Sequence, residues 1–166
     1  LLAKWPIWFG ASVLVVLLMA MYCYLLYVGG IIPLGGKKAP SYVIVLIFQY
    51  LLVKKLNASR SVHFLKLFLY QYIFIFITAT VGALALYYFY QSVPGLEVLQ
   101  DYIRISVHEL GQYKDVIIKQ EGKEYYFQLM QGIQGINAFS IARDEFSQKL
   151  FLAFVPNLLI SLYYKQ

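Results

Sequence analysis

Few residues in this chain could do chemistry. His63 and His108 are its two histidines and Cys23 its single cysteine. Two histidines can clamp a haem iron only if they face each other at one depth. Here His63 follows a basic turn and His108 lies in an acid-rich stretch, so both are expected at the surface. His108-Glu109 lacks the second histidine that a zinc-binding helix places one turn on. Cys23 lies inside an apolar run, where a thiol packs as a small residue, and alone it makes neither an intrachain disulfide nor a metal site. The Gly-Gly-Lys-Lys run at 35–38 is only a fragment of a phosphate loop, and Asn57-Ala58-Ser59 matches a glycosylation acceptor by chance in a short basic turn. There is no Gly-x-Ser-x-Gly and no Cys-x-x-Cys. Catalytic, cofactor-binding and metal-binding residues are therefore expected to be none, and the chain is expected not to be an enzyme.

The polar residues inside its apolar runs are Gln49, Gln71, Thr78, Thr80, Asn157 and Ser161. Such groups most simply hydrogen-bond between helices. No apolar run carries an acid, a histidine or an arginine in its middle. Ionisable residues at membrane depth mark proton relays and ion paths, so their absence argues against an ion-coupled pump. Ala79, Gly82 and Ala83 form a small-residue patch of the kind that lets helix backbones approach closely, and they are the candidate helix-packing residues.

The elements that carry these residues follow from composition. The chain has 166 residues, 61% hydrophobic and 13% charged, whereas soluble domains run at about 45–50% apolar and roughly 25% charged. Its surface is thus expected to face lipid. The first charge-free run, 5–28, exceeds the about 20 residues a span needs and is too long for a signal-peptide core. Gly29, Gly30, Pro33, Gly35 and Gly36 break it. The second run, 41–53, is short for a span. A span starting at Pro40 with snorkelling Lys54 and Lys55 competes with a re-entrant piece, and the span is preferred because only Gln49 interrupts it. Lys54, Lys55 and Arg60 are the topology anchors, and the third span is placed at 62–90.

Residues 1–95 thus read as a three-helix membrane region and 96–149 as a helical segment outside it. All the acidic residues of the chain fall in that segment. Leu96, Leu99, Ile103, Val107 and Leu110 recur at helical spacing and form a candidate interface stripe. A second helix is expected over 115–130, broken near Gly122, with a turn through Gly132, Gly135 and Asn137. A fourth membrane helix and tail occupy 150–166. This helix is expected to begin near Ser140, to expose Arg143-Asp144-Glu145 on its first turns, and to kink at Pro156. Asn157 or Ser161 would help satisfy the freed backbone groups. The fold class is all-α membrane protein: four transmembrane helices with an amphipathic helical extracytoplasmic segment between helices 3 and 4.

Net charge is +6. The basic residues cap apolar runs rather than form a basic-aromatic surface, so nucleic acid is excluded as a partner. The short loop with Lys54, Lys55 and Arg60 outweighs the turn with Lys37 and Lys38, which places both termini in the cytoplasm. Trp5, Trp8, Tyr50, Tyr163 and Tyr164 on one side, and Tyr27, Tyr42, Tyr88 and Tyr90 on the other, fit interfacial belts.

The stretch Phe139-Ser140-Ile141-Ala142-Arg143-Asp144-Glu145-Phe146, with the order of long helix, Gly/Pro turn, short helix, basic turn, long helix, amphipathic segment and final helix, resembles a family of small inner-membrane proteins of Bacteroidota known only as a domain of unknown function. The resemblance spans essentially the whole chain. It implies four spans and a bacterial inner-membrane location, and supplies no catalytic residues. The expected role is a non-catalytic accessory or scaffold subunit of an inner-membrane assembly, with membrane lipids and other membrane subunits as partners. A small oligomeric transporter or channel is the alternative, and a lipid- or quinone-handling protein a weaker one.

Overall fold

The computed structural model describes residues 5–57 and 63–164, and among them every regular element is a helix. The helices are α1 (Trp5–Val28), α2 (Tyr42–Asn57), α3 (Phe64–Gln91), α4 (Val93–Gln112), α5 (Lys114–Glu121), α6 (Lys123–Gln134), α7 (Ala138–Leu152) and α8 (Phe154–Tyr163). Among the described residues, four helical stretches are long and apolar enough to cross a membrane: Trp8–Val28, Gly35–Leu56, Phe64–Gln91 and Ala138–Tyr163. Arg60 lies outside the described residues, as do Lys4, Lys165, and Ala58 and Ser59 of the glycosylation match.

The second apolar stretch is longer than its sequence suggests. A short 3-10 helix, Gly35–Ser41, leads into α2, and the apolar stretch through both, Gly35–Leu56, has 22 residues, at least about 33 Å of helix and enough for the hydrocarbon core. Gly30 and Gly35 have positive φ, 77° and 57°, the left-handed conformation that glycine adopts freely. They turn the chain from α1 into this segment. The buried Ser41 hydroxyl then donates to the Lys38 carbonyl at 2.8 Å, fixing the turn that carries Lys38.

The chain divides into two compact units, residues 1–84 with 143–166, and residues 85–142, so the division falls inside α3 and inside α7. In the first unit, Trp8, Val15, Met19, Val45, Phe74, Ile75, Ile77 and Ala153 pack as one apolar cluster. Its outward side chains are also apolar, among them Leu17, Met21, Ile47, Leu69, Phe151 and Leu159. The buried polar residues of this unit include Ser12, Gln49, Gln71, Thr78, Glu145, Lys149, Asn157 and Ser161. Apolar outside with polar groups turned inward is the pattern expected of helices in lipid.

The fourth stretch departs from the sequence-based expectation. Glu145 and Lys149, assigned there to the outer segment 96–149, are buried in the first unit. One helical turn apart, they neutralise each other, which is what lets a charged stretch enter a packed interior. Arg143 and Asp144 do stay exposed. The helical path breaks between α7 and α8 at Ala153. Pro156, which has no N–H to offer and whose ring crowds the carbonyl four residues back, accounts for a break there. Two of the tyrosines and one of the tryptophans assigned to interfacial belts are instead packed. Trp8 is 7% exposed and tilts against Tyr70 and Phe74, Tyr42 bonds to α7, and Tyr90 is 2% exposed.

The second unit is built from α4, α5 and α6 with the adjoining ends of α3 and α7. The Ser92 hydroxyl caps α4, accepting from the Gly95 N–H at 3.4 Å, with Pro94 in the first turn. Gly95 is required there because a Cβ would sit 2.0 Å from the Phe89 carbonyl oxygen. Gly122, at φ 93°, separates α5 from α6. Asn137 and Ser140 cap α7 reciprocally, each side chain bonding the other's backbone N–H at 3.0 and 2.9 Å, the arrangement of a capping box.

Candidate functional site

The most chemically loaded place in the first unit is where Lys38, Glu145 and Lys149 meet. Lys38 comes from the 3-10 turn before α2, and the other two are one turn apart on α7. Glu145 pairs with Lys38 through one carboxylate oxygen and with Lys149 through the other. Side-chain exposures are 16% for Lys38, 10% for Glu145 and 3% for Lys149, so the group opens toward Lys38 and closes toward Lys149. The Tyr42 hydroxyl donates to the Lys149 carbonyl at 2.9 Å and ties α2 to α7 at the same level.

Gly82 on α3 completes this group. A Cβ at that position would lie 2.8 Å from the Lys149 ammonium nitrogen and 3.5 Å from a Glu145 oxygen. In the small-residue patch, Ala79 and Gly82 are buried and Ala83 is half-buried. The absent side chain at 82 makes room for an ammonium group, a role that a reading in terms of close backbone packing does not supply.

A second polar layer lies eight residues further along α7–α8, at Asn157, about 12 Å away by helical rise. The Gln49 amide nitrogen donates to Gln71 Oε1 at 2.8 Å and to Asn157 Oδ1. Gln71 Nε2 in turn donates to the Ser161 hydroxyl at 2.7 Å and to the Asn157 carbonyl at 3.3 Å. Three helices, α2, α3 and α8, are thereby joined. Asn157 and Ser161 turn to these partners rather than to backbone freed by Pro156. Gln49 Oε1 and Asn157 Nδ2 remain buried without a hydrogen-bond partner. Between the two layers sits apolar core, with Ala153 fully buried. A third link joins α1 to α3, where the Thr78 hydroxyl lies 3.1 Å from that of Ser12. Thr80 bonds only within its own helix, to the Phe76 carbonyl at 2.8 Å.

The remaining sequence-derived candidates are dispersed. His63 is exposed beside the start of α3, where Nδ1 accepts from the Leu65 N–H at 3.4 Å, and His108 is exposed beside Gln112 at 3.2 Å. Among the described residues, no three His, Cys, Asp or Glu side chains gather as metal ligands, and Cys23 is half-buried with a free thiol. Lys54 and Lys55 occupy the last turn of α2. In the stripe on α4, Leu99 is buried, Ile103, Val107 and Leu110 are half-buried, and Leu96 is exposed. Because α4 packs on α6 within the second unit, part of that stripe is covered by the chain itself.

Sequence reasoning missed the ion triad. Its one legible signal was the Glu145–Lys149 spacing of one helical turn. Comparison with protein-family models, with curated proteins and with solved structures finds no match to this chain.

Proposed function

We propose that this chain is a non-catalytic accessory or scaffold subunit of a membrane assembly, held in the bacterial inner membrane by four spans with both termini in the cytoplasm. The observation that carries this reading is the second unit's surface. Tyr113, Val116, Tyr125 and Phe127 each leave 45% or more of their area exposed there, although they lie in or beside helices rich in charge. Large side chains of this kind, left uncovered outside a lipid-facing segment, are what partner subunits bury. The charged groups of the first unit's interior, by contrast, are turned on one another. Purification in mild detergent tests the reading: stoichiometric co-elution with other membrane subunits is expected, and a solitary monomer from native membranes would overturn it.

A second reading, a small oligomeric transporter, gains from the triad. The sequence-based argument against ion coupling rested on apolar runs free of ionisable groups, and Glu145 and Lys149 are buried within the Ala138–Tyr163 stretch. Buried ionisable residues in such helices are functional by default. Under this reading the purified protein is a homo-oligomer, liposomes containing it show flux, and Glu145→Gln abolishes that flux.

A further inference from the structure

We infer that Lys38 and the neighbouring Lys37, beside the buried Glu145–Lys149 pair, form a binding site for the phosphate group of an anionic membrane lipid. The inference rests on the membrane reading above and is independent of the assembly role. Its first ground is charge. Two ammonium groups share one carboxylate, and among the described residues no other acid is paired with either lysine. The cluster therefore holds one positive charge in excess in a largely buried setting, where an uncompensated charge is costly. A bound anion removes that excess.

The second ground is access. Lys149 is closed off, but Lys38 keeps 16% of its side chain exposed, and Lys37 beside it is exposed. An anion can approach Lys38 from outside the bundle without displacing Glu145 from Lys149. The third ground is depth. Lys37 and Lys38 stand in the first turn of the apolar stretch Gly35–Leu56. In a bilayer this is where hydrocarbon gives way to headgroups, the level of lipid phosphates. Gly35 and Gly36 next to them carry no side chains, and a Cβ on Gly36 would meet nothing within 4 Å, so the approach is unobstructed. A phosphodiester with net negative charge satisfies all three conditions, whereas a zwitterionic headgroup brings its own cation and leaves the excess in place.

Native mass spectrometry of the full chain in detergent, titrated with phosphatidylglycerol or phosphatidylcholine, tests this. Wild type should retain phosphatidylglycerol in preference to phosphatidylcholine. Lys38→Gln should weaken that retention about fivefold, the worth of one basic residue at a membrane surface, while Lys38→Arg keeps it. Glu145→Gln should strengthen it, because the competing carboxylate is gone. A purely structural triad predicts no gain from Glu145→Gln. Since the variants at 38 and 145 touch a buried pair and can fail to fold, Lys37→Gln, on the surface, serves as the fold-neutral test and should also lower retention. Equal retention of the two lipids by wild type overturns the proposal. So does Lys37→Gln or a folded Lys38→Gln binding as wild type, or inorganic phosphate displacing phosphatidylglycerol at equal concentration.

Discussion

Glu145 stands between two ammonium groups, and its removal has a cost that its neighbours on the same helix do not share. Glu145→Gln leaves Lys38 and Lys149 facing each other without a counter-charge, a broken buried pair of the kind that costs about 3–5 kcal/mol. Arg143→Ala two residues away breaks only an exposed contact with Asp144 at 3.5 Å, worth roughly 0–1 kcal/mol. Thermal unfolding in one detergent should separate the two variants by many degrees, and equal midpoints would mean that Glu145 is hydrated rather than buried. The difference between these adjacent charges was not legible in the sequence. Arg143-Asp144-Glu145 reads as one solvated cluster, and what divides it is Lys38, 107 positions from Glu145. The same holds for Gln49, whose partners Gln71 and Asn157 lie 22 and 108 positions away. Each amide could be recognised as polar within an apolar run, but not to whom it bonds, because convergence of helices is a tertiary fact.

Hydropathy located four apolar stretches, and the described residues hold four helical stretches of spanning length. It misplaced an end where charge and glycine intrude. The second was trimmed at 41 because Gly35, Gly36, Lys37 and Lys38 look like a loop, yet they wind into a 3-10 turn. The fourth, expected to begin near Ser140, does start close by, at Ala138, and only the exposure expected for Glu145 fails. The break at Gly122 was legible, since a glycine amid helix formers signals a turn, and it carries φ 93°. The α3–α4 joint makes a sharper demand. At Gly95 a Cβ would stand 2.0 Å from backbone, and backbone cannot rotate aside as a side chain does. Gly95→Ala is expected to destabilise by about 1–3 kcal/mol and to speed amide hydrogen exchange at the start of α4. Unchanged exchange would show that the joint already flexes. On the same helix, Ile103 is half-buried while Arg104 is exposed and paired with Asp101 at 2.8 Å. Ile103→Asp should therefore raise the rate of limited proteolysis within 93–134 severalfold, the loss of one buried aliphatic side chain being worth roughly 1.5–3 kcal/mol. Arg104→Ala should leave the rate as it was. Wild-type resistance in both variants would show that the α4–α6 contact does not hold the unit together.

At the scale of the whole molecule, four spans require Lys55 and Lys119 to be reached from opposite sides of the membrane. Cysteines placed at these positions should label with an impermeant maleimide, Lys55 from the cytoplasmic face and Lys119 from the other. Labelling of both from one face would remove a crossing and with it the four-span arrangement. The interior pairs also carry a temporal meaning. A ribosome delivers the residues of α1, α2 and α3 to the membrane first, and their apolar segments hold no acid. The last segment brings Glu145, Lys149 and Asn157, whose partners Lys38, Gln49 and Gln71 have by then been synthesised. Its passage into a bilayer is thus expected to draw on groups already there, and Lys38→Gln should register during biogenesis. A reporter fused after residue 166 would then be found on the wrong side of the membrane in a fraction of newly made chains, a defect of insertion that no measurement on the purified, correctly inserted protein would reveal.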